Sequence, residues 1–352
     1  MNDETKKKFF KTLGKIGLSI GMQITAYEVY SKIFQRVDLP DYNIYPGLFD
    51  YQKVKKILPR TTFKFSSNRE KLQGYYYEAK TKAKGIVILV HGFHSGSDDY
   101  LPITMRLVEK GYDVFSYDGC GTYRSTGKSL NGFLQGLVDL DYAVRYINNS
   151  KKYAGKKLFL LGHSCGGFAV NAVLNIHKKF NAVASIAAVN NAYKLLLDKG
   201  DEYAGEIAST GFSEEFLDNH QKQIFGKYCK YTALDGVNSV KIPIFIAHGK
   251  NDETISYELQ SLISKRKQIK NPNVTYVTTS NNQGGHVSIW HSVKSNDYQK
   301  EVDSTLKRMK KDKKSHEEVA EYVKTVDHAL YSEINYELID QIIEMFDSTL
   351  KK

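Results

Sequence analysis

Apolar and polar positions alternate along this chain in two rhythms. Five short apolar runs stand out: "GIVILVHG" (85–92), "YDVFSYDG" (112–119), "KLFLLGHS" (157–164), "NAVASIAAV" (181–189) and "KIPIFIAHG" (241–249). Their length and β-branched content suit strands buried on both faces. "VTYVTTS" (274–280) adds a sixth, and "TTFKFSS" and "LQGYYYEA" on either side of "NREK" read as a hairpin. Between the runs, apolar residues recur at steps of three and four. That spacing predicts helices over "ITMRLVEKG", which closes on Gly111, "LQGLVDLDYAVRYINN", "FAVNAVLNIHKKF", "SYELQSLISKRK" and "INYELIDQIIEMF". Strands alternating with helices mean βαβ units, hence an α/β fold with a mostly parallel sheet and helices on both faces.

The alternation breaks once. Residues 190–238 hold the helical, polar-rich segments "AYKLLLDKGDEYAGEIA" and "SEEFLDNHQKQIFGKY" and no strong strand. This predicts a helical cap inserted into a core made of 60–189 and 239–352. Residues 1–59 form an N-terminal extension in which Phe9, Leu13, Ile16, Ile20, Ile24, Tyr27, Tyr30 and Phe34 share one helical face. Lys15, Gln23 and Glu28 interrupt the apolar run, which argues against a signal peptide and against a membrane span. Two readings of the segment stand. It is a helix packed on the main domain, the preferred one, or an amphipathic segment on an anionic membrane surface.

Composition narrows the class. Hydrophobic residues make up 41% and charged residues 25% of 352, ordinary values for a soluble globular protein. Cys120, Cys165 and Cys229 are too few and too scattered for a disulfide framework or a zinc site. The expected compartment is therefore reducing and cytoplasmic, with membrane-peripheral placement following only from the second reading of the N-terminus. The net charge of +11 concentrates in "KKKFFKTLGK" and in "KRMKKDKK" (307–314). No nucleic-acid motif accompanies it, so a lysine-rich surface is the simpler account than a nucleic-acid partner. The stretch 307–314 is expected to be a surface loop or an anionic docking site.

The candidate chemistry lies in "LFLLGHSCGGFAV". Gly162-His163-Ser164-Cys165-Gly166 fits G-x-S-x-G, with a strand before it and a helix after it. The glycines let the backbone crowd into a sharp turn, and the serine hydroxyl stands at a helix N-terminus, where developing negative charge is favoured. A serine needs a base, and the base needs an orienter. Asp252 in "IAHGKNDETI" lies 88 residues after Ser164, and His286 in "NNQGGHVSIW" 34 residues after that, each just past a strand. His291 is the rival base; Glu253 and Asp118 are the rival acids. His91, His163 and His248 beside glycines read as structural groups.

These motifs, with "LVHGF", "YDGCGTYRSTG" and "GGH", resemble the α/β-hydrolase superfamily, in the branch of esterases, monoacylglycerol-type lipases and serine aminopeptidase-like enzymes. The resemblance covers about residues 60–350. It implies a serine hydrolase that cleaves carboxylic esters through Ser164, His286 and Asp252, with no metal and no organic cofactor. Its partner is then a small acyl ester or amide. The alternatives are a peptidase or amidase on the same scaffold, or a non-catalytic ligand-binding relative. The resemblance also implies an oxyanion hole from the backbone N–H groups of Phe93 and Cys165. His94 and Tyr123 are candidate substrate contacts; Tyr123 stands where glycine is common in the family. Glu202, Glu206, Glu214 and Glu215 are candidates for an amine-binding pocket, against the simpler reading of a solvated helix face.

Overall fold

The computed structural model describes residues 27, 28, 30–196 and 214–351. Eight strands form one sheet: β1 (Thr61–Ser67), β2 (Glu70–Tyr77), β3 (Ile86–Val90), β4 (Asp113–Tyr117), β5 (Leu158–His163), β6 (Ala182–Ile186), β7 (Ile244–Gly249) and β8 (Val274–Thr279). Each corresponds to a run picked out by its apolar pattern. Their order across the sheet is β1-β2-β4-β3-β5-β6-β7-β8. β1 and β2 are an antiparallel hairpin, β2 lies antiparallel to β4, and every pairing from β4 to β8 is parallel.

The period-two geometry of a strand explains the two cores. In β5, Leu158 and Leu160 point into one, while Phe159 and Leu161 point into the other. β3 and β7 divide in the same way. The first core is closed by α2 (Gln135–Asn149) and α3 (Cys165–Ala172), and the second by α1 (Leu101–Glu109) and a C-terminal helix, Tyr336–Ser348. That last helix buries Leu338, Ile339, Ile342, Ile343 and Phe346, the stripe its sequence spacing predicts. Parallel strands covered on both faces bring the ends of β3, β5, β7 and β8 to one edge of the sheet, and the loops that leave them meet there.

Two expectations need correction. "SYELQSLISKRK" does not form an α-helix; only Ile263–Gln268 is helical, and it is a 3-10 turn. Its backbone is drawn elsewhere. Ser261 bridges Val189, the Leu262 N–H donates to the Ala188 carbonyl, and the Asn190 N–H donates to the Gln260 carbonyl. The segment's apolar residues thus pack by a local bridge to the chain leaving β6. The stretch 307–314 is not a surface loop either. Most of it is the last turns of a 19-residue helix, Val293–Lys311, whose basic C-terminal turn suits the negative end of the helix dipole.

Most of the N-terminal periodic segment lies outside the described residues. What is described of it docks on the main domain. Phe34 is fully buried and packs edge-to-face on Phe93 and Phe133, at centroid distances of 5.5 and 5.0 Å. Between Phe34 and Asp50 the extension is not helical. Gln35 and Val37 make isolated bridges to Ser129 and Thr122, and the Arg36 guanidinium donates to the carbonyls of Tyr123, Ser125 and Gly127. The next helix is a single turn, Tyr51–Val54. Within the 190–238 insertion, the helix Glu214–Phe225 adds Leu217 and Phe225 to the first core, and Gln221 Nε2 donates to the Tyr30 hydroxyl at 2.7 Å. Glu202 and Glu206, and the side chains of Glu214 and Glu215, lie outside the described residues. Among the described residues no helix is long and apolar enough to cross a membrane.

Candidate active site

The turn from β5 into α3 is as tight as its glycines suggest. A Cβ on Gly162 would lie 2.3 Å from the Gly166 carbonyl oxygen, and one on Gly166 would lie 2.2 Å from the Val90 carbonyl oxygen. No side chain fits either place. The crowding holds Ser164 at φ 57°, ψ −121°, a conformation that costs a non-glycine residue about 1–3 kcal/mol. The helix that follows begins at Cys165.

Three side chains from three strand ends meet at this turn. His286 Nε2 lies 2.9 Å from Ser164 Oγ, and His286 Nδ1 lies 2.8 Å from Asp252 Oδ2. All three are buried. Burial alone would raise the Asp252 carboxyl. Hydrogen bonds from His248 and His286, the imidazole charge and the Ile255 N–H outweigh it and hold the carboxyl well below the usual range. An ionised Asp252 only accepts, so His286 carries its proton on Nδ1 and presents a free lone pair on Nε2 to the serine hydroxyl. Asp252 is itself held rigidly. Its Oδ1 accepts the backbone N–H groups of Thr254 and Ile255, and His248 Nε2 lies 3.0 Å from Oδ2.

A second chain of hydrogen bonds runs beneath the first. The Gly92 N–H donates to the Tyr100 hydroxyl at 2.9 Å, and that hydroxyl lies 2.9 Å from His163 Nδ1. His163 Nε2 lies 3.0 Å from the His286 carbonyl oxygen. A carbonyl only accepts, so Nε2 carries the proton and Nδ1 accepts from Tyr100. Desolvation pushes His163 down to about 3, which keeps this tautomer neutral. The chain ties the loop after β3, the turn after β5 and the loop after β8 to one another.

Phe93 lies on that first loop. Its N–H is directed at the Cys165 side chain, and a Cβ on Gly92 would lie 3.3 Å from Ser164 Cβ. Burial pushes the Cys165 thiol up to about 12, so it is a small filler and not a nucleophile. His94 (φ 57°) stacks on the Phe93 ring at 4.0 Å and reaches the Ile33 carbonyl. Tyr123 (φ 43°) donates to Asp99 Oδ2 at 2.8 Å. His94, Tyr123, Phe93, Ser164 and His286 all line one cleft of about 490 Å³. Of the described residues of the 190–238 insertion none lines it. Its other walls include Asp99 and Tyr100, Tyr45 and Phe49 of the extension, and residues between Val287 and Tyr331.

The rivals make other contacts. His291 Nδ1 is directed at the Glu333 carbonyl and Ser295. Glu253 accepts the His286 backbone N–H, and Asp118 takes the Tyr75 hydroxyl and the Ser97 N–H. The Gly119 N–H donates to His91. Among the described residues no group of three or more His, Cys, Asp or Glu side chains could hold a metal ion. Sequence reasoning missed Tyr100, Asp99 and the contact of His248 with Asp252. "SDDY" carries no motif, and a pair four residues apart in a loop has no periodicity to reveal it.

Comparison with known proteins finds similar hydrolases. The profile of the family described as "Serine aminopeptidase, S33" matches residues 81–210. A monoglyceride lipase homologue of monkeypox virus is 26% identical over 133 residues, 38% of this chain. The chain's match spans about half the length of that relative, 48%. An esterase of Pyrococcus furiosus superposes with a TM-score of 0.53 at 20% identity, over 78% of this chain and 98% of the esterase. Pyrococcus horikoshii acylaminoacyl peptidase gives 0.52 at 15% identity, over 89% of this chain and 44% of the peptidase. Est1E of Butyrivibrio proteoclasticus gives 0.52 at 16% identity, over 83% and 99%.

Proposed function

We propose that this chain, which has an α/β-hydrolase fold, is a serine hydrolase cleaving carboxylic esters through Ser164, His286 and Asp252. The observation that carries the reading is the continuous relay from Ser164 Oγ through the His286 ring to Asp252, opening on a cleft. Ser164 attacks the acyl carbon while His286 Nε2 takes its proton; Asp252 holds the ring and stabilises the imidazolium. The N–H groups of Phe93 and Cys165 receive the oxyanion, each worth about 3 kcal/mol in the transition state. His286 protonates the leaving group. It then activates water to release the acid. His94 and Tyr123 contact the bound substrate from the cleft wall.

Esters are preferred because a monoglyceride lipase homologue and an esterase are among the similar proteins. Amide cleavage is the second reading, favoured by the serine aminopeptidase profile. The test is mass spectrometry of the intact protein after exposure to a fluorophosphonate. One adduct on the wild type and none on Ser164→Ala is the expected result. A folded wild type that takes no adduct would overturn the reading and favour a ligand-binding relative.

A further inference from the structure

The cleft that holds Ser164 and His286 has an electrostatic character at odds with the rest of the chain. The protein carries 50 Lys and Arg against 39 Asp and Glu, yet among the described residues no Lys or Arg lines the cleft, while Asp99 and Asp303 do. Neither carboxylate is paired with a Lys or Arg among the described residues. The neighbouring Asp98, by contrast, is neutralised by Arg60 and Arg124. The cleft's His163 and His291 do not compensate. Desolvation pushes them down to about 3 and about 4, leaving both neutral at pH 7.

Asp99 is a built group and not a solvated one. Its Oδ2 accepts the Gly96 N–H and the Tyr123 hydroxyl, both at 2.8 Å, whereas its Oδ1 is covered and has no hydrogen-bond partner. Asp303 Oδ1 accepts the Tyr331 hydroxyl at 2.9 Å. Tyr45 lines the same cleft: desolvation of its hydroxyl, and then the charges of Asp99 and Asp303, push it up to about 12. Two anions without counter-charges thus share a wall with three tyrosine rings. A half-satisfied carboxylate is costly, and the charge of a cation in the cleft offsets part of that cost. Aromatic faces beside it add attraction for an organic cation and little for a hydrated metal ion.

We propose that this wall is a specificity subsite for an alkylammonium group, so that the preferred substrates carry a positive charge at one end. The substrate class rests on the reading of Ser164 as nucleophile; the binding of the cation does not. The chain's single tryptophan, Trp290, lines the same cleft, stacked between Tyr100 and His291, and reports occupancy directly.

The experiment titrates Ser164→Ala protein at pH 8 with choline, with its uncharged isostere 3,3-dimethyl-1-butanol and with glycerol, following Trp290 emission. Choline is expected to bind about tenfold tighter than the isostere, a ratio set by the charge. Asp99→Asn keeps an oxygen for Gly96 and Tyr123 and should bring the ratio near one; Asp303→Asn is the second variant and should lower it too. An isostere that binds as well as choline, glycerol binding alone, no response to any of the three, or a ratio unmoved in both variants overturns the subsite. Choline binding in a protein that takes no fluorophosphonate upholds the subsite and sinks the hydrolase reading. Normal labelling without choline selectivity does the reverse.

Discussion

Replacing Asp252 by asparagine tests the relay at its most constrained member. The carboxylate takes two backbone N–H groups on Oδ1, from Thr254 at 2.9 Å and Ile255 at 2.7 Å, and faces two imidazoles with Oδ2, His286 at 2.8 Å and His248 at 3.0 Å. An asparagine has one oxygen for these two sides. If the oxygen faces the imidazoles, its amide opposes two backbone donors, each left unpaired at a cost of roughly 1–3 kcal/mol. If the oxygen keeps the backbone donors, the amide faces the imidazoles, and both rings must turn a lone pair toward it. His248 can do so by moving its proton to Nδ1, which has no partner among the described residues, at the loss of one contact, that of Nε2 with the Ile255 carbonyl at 3.1 Å. The second arrangement therefore costs less. In it, however, His286 carries its proton on Nε2 and cannot accept one from Ser164. The fold survives and catalysis does not: kcat should fall by roughly 10³ to 10⁴ with KM little changed, because the lost function acts in the transition state. Initial rates on an aryl ester, with near-ultraviolet circular dichroism to check folding, make the measurement. A folded variant within tenfold of the wild-type kcat would show that Asp252 does not set the tautomer of His286.

Three further outcomes are expected. Tyr100→Phe removes the hydroxyl between the Gly92 N–H and His163 Nδ1 and leaves both buried groups unpaired; urea unfolding should show a loss of about 2–5 kcal/mol, and a loss below 1 would mean that the chain through His163 is not made. Gly166→Ala should fail to give folded, probe-reactive protein because its Cβ meets the Val90 carbonyl at 2.2 Å, whereas Gly155→Ala meets nothing within 4 Å and should cost only about 1 kcal/mol for its positive φ. The urea midpoint should change little as pH falls from 7 to about 4. His91, His163 and His291 have depressed pKa values and lose stability as pH drops below about 6.5, while Asp99, Asp118 and Asp139, pushed up to about 6 by burial, gain it over nearly the same range. Below pH 4 the carboxyls held low, Asp141 and Asp252 among them, give up their contribution and the midpoint should drop steeply; a steady decline from pH 6.5 would contradict the burial of the three aspartates.

The strands were legible because a run buried on both faces needs no partner to announce itself: "LFLL" and "IVILV" are apolar at every position. The turn at Ser164 was legible because its glycines answer to steric demands made by nearby backbone. The segment 256–267 was misread for the opposite reason. Its helical spacing is real, but Ser261 and Leu262 find their backbone partners near Val189, a contact that no local pattern records. Asp99 and Tyr100 stayed hidden likewise. Their roles come from Tyr123 and His163, 24 and 63 residues away, and a polar residue in a loop looks the same whether it meets water or a buried ring.

The docking of Phe34 and Arg36 changes where the working unit begins. Phe34 props the ring of Phe93, and Arg36 pins three carbonyls of the loop that carries Tyr123. The sheet starts at Thr61, but the packing behind the loops of the cleft starts some thirty residues earlier. A minimal version cut at the first strand would retain every strand and every residue of the relay, yet lose the buttress behind the loops on which that relay acts.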